Sequence, residues 1–157
     1  MAITTAAGIS TTTVTTDQQA PLGFELVVPA ANQGEQVWIY IFNDEAALQL
    51  TQGMLIMRDL ATATYDGIRS TGAISPQRII GVAQHNIAAG SYGFILRKGV
   101  GQVLCDGNVT QDLALTPDAN AGQCTNVAVV TNAAIGTALA TDAGAASLVA
   151  ACLNCTG

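Results

Sequence analysis

Residues 78–98 read RIIGVAQHNIAAGSYGFILRK. The stretch has the form of a β-hairpin. Ile79, Ile80 and Val82 make a β-branched run, residues 86–90 are a loop of mostly small residues, and Tyr92, Phe94 and Leu96 fall on one face at the strand period of two. Gly81 and Gly93 interrupt the two runs at similar distances from the loop. Glycine weakens a strand unless a neighbouring group needs the space, so both are expected at close-packing points where the sheet bends or meets another element.

Upstream of the hairpin, residues 24–28 and 36–42 have strand character, with Pro29 and Gly34 between them. The second run, QVWIYIF, has no polar alternation and is expected to be covered on both faces. Trp38, Tyr40 and Phe42 share one side of it; on a strand of this kind such a row is core in preference to a ligand platform. Residues 43–52 fit a short helix, capped by Asn43 or Asp44 and ended by Gly53. Residues 54–57 and 62–65 follow as strands, and Asp66-Gly67 fits a tight turn with positive φ.

Downstream, residues 100–105 lead to a second Asp-Gly pair, Asp106-Gly107, and then Val109. Residues 112–116, 124–130, 135–141 and 147–153 are short segments separated by turn signals. Alanine would permit a helix over residues 131–140. Turn signals recurring every ~8–12 residues favour strands and an all-β sandwich or barrel. The expected organisation is a single β-domain over residues 22–157.

Residues 1–21 are different. They are rich in Thr, Ala and Gly, with Thr11, Thr12, Thr13, Thr15 and Thr16 around Val14, and end at Pro21. Too few large apolar residues are present for a separate core, so the segment is either a loose terminus or an extended arm ordered against a partner. β-branched Thr and Val favour pairing with a sheet edge, which makes Thr11, Thr12, Thr13, Val14, Thr15 and Thr16 the candidate partner contacts.

The chain has 157 residues, one ordinary domain in length. Hydrophobic residues make up 50% and charged residues only 10%, against about 25% charged in a typical domain. The surface must then be largely Thr, Gln, Asn, Ala and backbone, with little charge to keep neighbours apart. Work within a homo-oligomer or larger assembly is expected. The net charge of −6 and the scatter of Arg58, Arg69, Arg78 and Arg97 argue against a nucleic-acid partner. No membrane span is expected either, since residues 133–153, the most apolar run, carry Asp142 and much Gly, Ala and Thr. The N-terminus lacks a basic region followed by an apolar core, so synthesis and folding in a cytoplasm are expected.

No catalytic constellation is evident. His85 has no motif-level partner and is expected to be solvated or locally bonded in its loop. Asp44, Glu45, Asp59, Asp66 and Asp106 fall where Asp serves turns. Phosphate-cradling glycine patterns are missing, and no catalytic, cofactor-binding or metal-binding residue is assigned. Cys105, Cys124, Cys152 and Cys155 allow two disulfides, half a zinc site or a redox pair at Cys152-x-x-Cys155. The lack of a second close pair favours buried or idle thiols.

The order GMLIM (53–57), RIIGVA (78–83), IAAGSYGFI (87–95), Gly99 and IGTALA (135–140) resembles small β-rich head proteins of tailed bacteriophages, the decoration or cement proteins. The resemblance covers roughly residues 52–153. It implies a β-barrel or β-tulip-like domain, commonly a homotrimer, bound to the major capsid protein on the outer capsid surface of a virion and bridging neighbouring capsomers. The Thr-rich start and the Cys-bearing end have no counterpart in that pattern. Two other classes stay open: a carbohydrate-binding module with Trp38, Tyr65 or Tyr92 as exposed stacking platforms, and a tail or fibre component.

Overall fold

In the computed structural model, which describes residues 10–72, 74–127 and 134–157, the run QVWIYIF is the middle of strand β2 (Glu35–Asn43). Residues 38–41 are buried without interruption, as expected of a strand covered on both faces. β1 (Glu25–Pro29) pairs antiparallel with it across a single 3-10 turn, Ala31–Gln33. Then come β3 (Leu55–Arg58), β4 (Asp66–Arg69), β5 (Ile79–Val82) and the long β6 (Tyr92–Cys105). The C-terminal part adds β7 (Asn108–Val109), β8 (Ala114–Pro117), β9 (Cys124–Val127), β10 (Gly136–Ala138), β11 (Asp142–Ala143) and β12 (Ser147–Asn154). The domain is all-β, as the sequence indicates. Among the described residues ten strands share one sheet, and β7 and β11 pair separately.

The pairings trace two circuits that share β6. One runs β2, β4, β3, β5, β6 and back to β2. The other runs β6, β12, β10, β8, β9 and back to β6. The first part of β6 pairs with β2, from Phe42↔Tyr92 to Val37↔Lys98, and the second with β12, from Lys98↔Asn154 to Cys105↔Ser147. Gly99 stands at the handover with φ 111°, and a Cβ there would lie 2.7 Å from the Glu35 carbonyl oxygen. Only glycine lets one strand turn through that point and serve both circuits.

Alternation divides the core. Ile39, Ile41, Ile56, Ile80 and Ile95 from four strands meet in one cluster with Leu50, Ala83 and Ile87. The opposite faces supply Trp38, Tyr40, Leu55, Met57, Ile79, Phe94 and Leu96 to a larger cluster. It continues through Val103, Leu115, Val149 and Leu153 into the second circuit.

The hairpin at 78–98 exists, but β5 and β6 pair at Val82↔Leu96 and residues 83–91 form a longer connection, pinned by a bridge between Leu50 and Ile87. Gly81 is a true close approach: a Cβ would sit 2.8 Å from the Leu96 carbonyl oxygen.

Three expectations fail: the helix over residues 43–52, the strand over residues 62–65 and the turn at Asp66-Gly67. Residues 43–52 form no helix: Asn43 ends β2, its amide nitrogen donates to the carbonyls of Leu48 (3.1 Å) and Ile87 (2.9 Å), and Leu50 pairs with Ile87 in extended form. Asp66-Gly67 is not a turn but the start of β4, and residues 62–65 are the turn before it. A Cβ on Gly67 would come within 2.7 Å of Ile41 and 2.8 Å of Ile56, so packing, not φ, demands the glycine. Asp106-Gly107 does turn, with Gly107 at φ 92°. Of the segments expected at 124–130 and 131–140, residues 128–133 lie outside the described residues; residues 136–138 are strand.

Candidate interaction surface

The Thr-rich segment lies along the β-domain of its own chain. Thr15 pairs antiparallel with Tyr92, its N–H donating to the Tyr92 carbonyl at 3.1 Å and its carbonyl accepting from the Tyr92 N–H at 2.8 Å. Val14 packs against the isoleucine cluster, and Ala20 and Leu22 against the larger one. The Gln19 N–H donates to the hydroxyl of buried Tyr40 at 3.0 Å. Of the six candidate contacts, Val14 faces inward and Thr15 is held by its backbone, its hydroxyl donating to the Asp17 carbonyl at 2.7 Å. Thr12, Thr13 and Thr16 are exposed and Thr11 is half-buried. Residues 1–9 lie outside the described residues.

The aromatic residues are arranged as core. Trp38 is 7% and Tyr40 1% exposed, and the Tyr40 ring stacks on Tyr92 with centroids 6.1 Å apart. Tyr92 also meets Phe42 at 4.9 Å. Tyr65 is half-buried with the Arg58 guanidinium 5.5 Å from its ring centroid, a cation-π contact. None of the three proposed platforms is an exposed ring.

His85 departs from expectation. Both ring nitrogens are buried and have no hydrogen-bond partner among the described residues, and burial holds its pKa below the ordinary imidazole value. Asp66 is buried at the start of β4; burial first, then the carboxylates of Asp44 and Asp59, raise its pKa. The Thr62 hydroxyl donates to Asp44 at 2.8 Å, tying together the loops that follow β2 and β3. No group of three or more His, Cys, Asp or Glu side chains suited to a metal ion occurs among the described residues.

The feature that sequence reading missed is an edge. Among the described residues, β1 is the one strand of the large sheet paired along a single side, with β2. Val27 is 52% exposed and Phe24, just before the strand, 37%. Glu25 at one end of β1 is ion-paired with Arg97 of β6 and Pro29 at the other lacks an N–H, so charge and proline mark both ends of the open edge. Beside it is a depression of about 330 Å³ lined by Glu25, Val37, Arg97, Lys98, Asn154 and Thr156. Two of the chain's five cationic side chains meet there. A short strand that ends in proline is the only sequence sign of such an edge.

No family model matches the chain, and no curated protein matches it in sequence. In fold it is similar to the crystal structure of the N base of the head fiber gp8.5 of bacteriophage phi29. The TM-score is 0.53 at 14% identity, over 76% of this chain and 94% of that one. At that identity the likeness speaks for the fold.

The thiols complete the inventory. Cys152 and Cys155 do not converge: Cys152 is exposed on β12, whereas Cys155 is buried with Sγ towards the Ile135 carbonyl, and burial pushes its pKa up to about 12. Cys105 and Cys124 are both fully buried.

Proposed function

We propose that this protein is a structural component of a tailed-phage virion, a decoration protein that binds the major capsid protein on the outer shell as a homotrimer and bridges neighbouring capsomers. The observation that carries this reading is the fold likeness to a phage head-fiber base across nearly the whole of that base. Low surface charge, the open edge of β1 and the exposed Thr12, Thr13 and Thr16 support it as a surface made for association. Each contact is worth about 25 cal/mol per Å² of apolar area buried before entropy costs, and repetition over many equivalent sites gives the shell its gain.

In this reading Val14 and Thr15 anchor the arm to its own domain, and the exposed Thr12 and Thr13 contact the neighbouring capsomer. The test is cosedimentation of the full chain, and of a chain lacking residues 1–13, with expanded shells that lack this protein. The full chain is expected to saturate the shells, and the shortened chain to stay folded and bind at least tenfold more weakly. Equal binding contradicts the bridging arm, and no binding by either contradicts the decoration role. A second reading, the base of a head fibre, is favoured by the same likeness and differs in copy number.

A further inference from the structure

The second circuit of strands closes at one residue pair. Cys105, the last residue of β6, lies opposite Cys124, the first of β9, and no other pair joins those strands in register. Their Sγ atoms are 2.9 Å apart, both residues are 0% exposed, and the Asp106 N–H donates to the Cys124 carbonyl at 3.0 Å beside them. Adjacent strands lie about 4.7–4.9 Å apart, within the roughly 4.4–6.8 Å Cα separation that a disulfide requires. The register pairing and the Sγ approach together place the two cysteines within reach of a disulfide.

We propose that Cys105 and Cys124 are a disulfide site, oxidised by a small-molecule disulfide, and that the bond pins β9 to β6 and so locks the second circuit. One cysteine thiolate attacks the small disulfide, forming a mixed disulfide and expelling one small thiolate. The other cysteine thiolate then attacks the protein sulfur of the mixed disulfide, forming the Cys105–Cys124 bond and expelling the second small thiolate. The two cysteine protons end on the two released small thiols, and the small disulfide is the oxidant. The hydrogen bond to Cys105, then burial, raise the Cys124 pKa. Exchange is therefore slow in the closed domain and proceeds as β9 folds or opens locally. The same burial shields the bond once formed. The inference is independent of the virion reading.

The experiment refolds the full chain in glutathione and glutathione disulfide, quenches it with acid and alkylates it in denaturant without reductant. Two of the four thiols, Cys152 and Cys155, are expected to be alkylated. Cleavage at aspartates then gives a joined pair of fragments carrying Cys105 and Cys124; trypsin is unsuitable because Lys98 is the last basic residue. Four alkylated thiols, or a joined pair containing Cys152 or Cys155, overturns the site. Reduction is expected to lower the thermal midpoint of the oxidised protein by about 5–10 °C, and to leave that of Cys124→Ala unchanged. An equal midpoint before and after reduction of the oxidised wild type overturns the pinning of β9.

Discussion

His85 shows how much one side chain can depend on surroundings that its sequence neighbours do not reveal. Gln84, His85 and Asn86 read as a polar loop, yet the connection is drawn onto the core by Ala83 and Ile87, and the imidazole goes with it. Its folded-state pKa lies below 6.5 because burial penalises the charged ring. The unfolded chain then binds more protons between the two values, so stability is fully present above 6.5 and is lost as pH falls towards the folded value. The thermal midpoint of the wild type is expected to fall between pH 7.5 and 5.5 more steeply than that of His85→Leu; parallel curves contradict this. Asp66 acts with the opposite sign, its raised pKa favouring the folded state at acid pH, and it contributes equally to both proteins.

The strands read correctly from sequence are those whose side chains alone decide the matter. β2 is apolar on both faces, and β12 alternates buried Val149, Ala151 and Leu153 with more exposed neighbours. The misread elements are those decided by distant partners. Asp66-Gly67 and Asp106-Gly107 are the same dipeptide, but the first serves the packing of Ile41 and Ile56 and the second a turn. The segment after Asn43 has helix-tolerant alanines but no apolar stripe: Ala46 and Ala47 are exposed, and Leu50 pairs with Ile87 in extended form. Asn43 organises this loop and is fully buried. Its side chain donates to Leu48 and Ile87 and accepts from the Glu45 N–H at 3.1 Å. Asn43→Ala is expected to cost about 2–4 kcal/mol, since the two carbonyls lose a buried donor and a cavity opens. Denaturant unfolding measures it, and a loss under about 1 kcal/mol would mean that water replaces the side chain at little cost.

At the scale of the molecule, two strand circuits share β6, and among the described residues one sheet edge is open and a strap from the N-terminal segment lies along the domain. The strap's chemistry was legible as β-branched residues suited to extended pairing; that Val14 and Thr15 meet their own domain was not, because pairing across 77 positions leaves no local trace. The surface proposed for association reads from composition as sparse charge, whereas the open edge of β1 required the sheet order. The most direct measurement is the copy number of this protein against the major capsid protein in purified virus particles, by quantitative mass spectrometry. The account predicts a ratio near one to one. A handful of copies per particle would contradict decoration and point to a fibre base, and absence from the particle would contradict the virion role altogether.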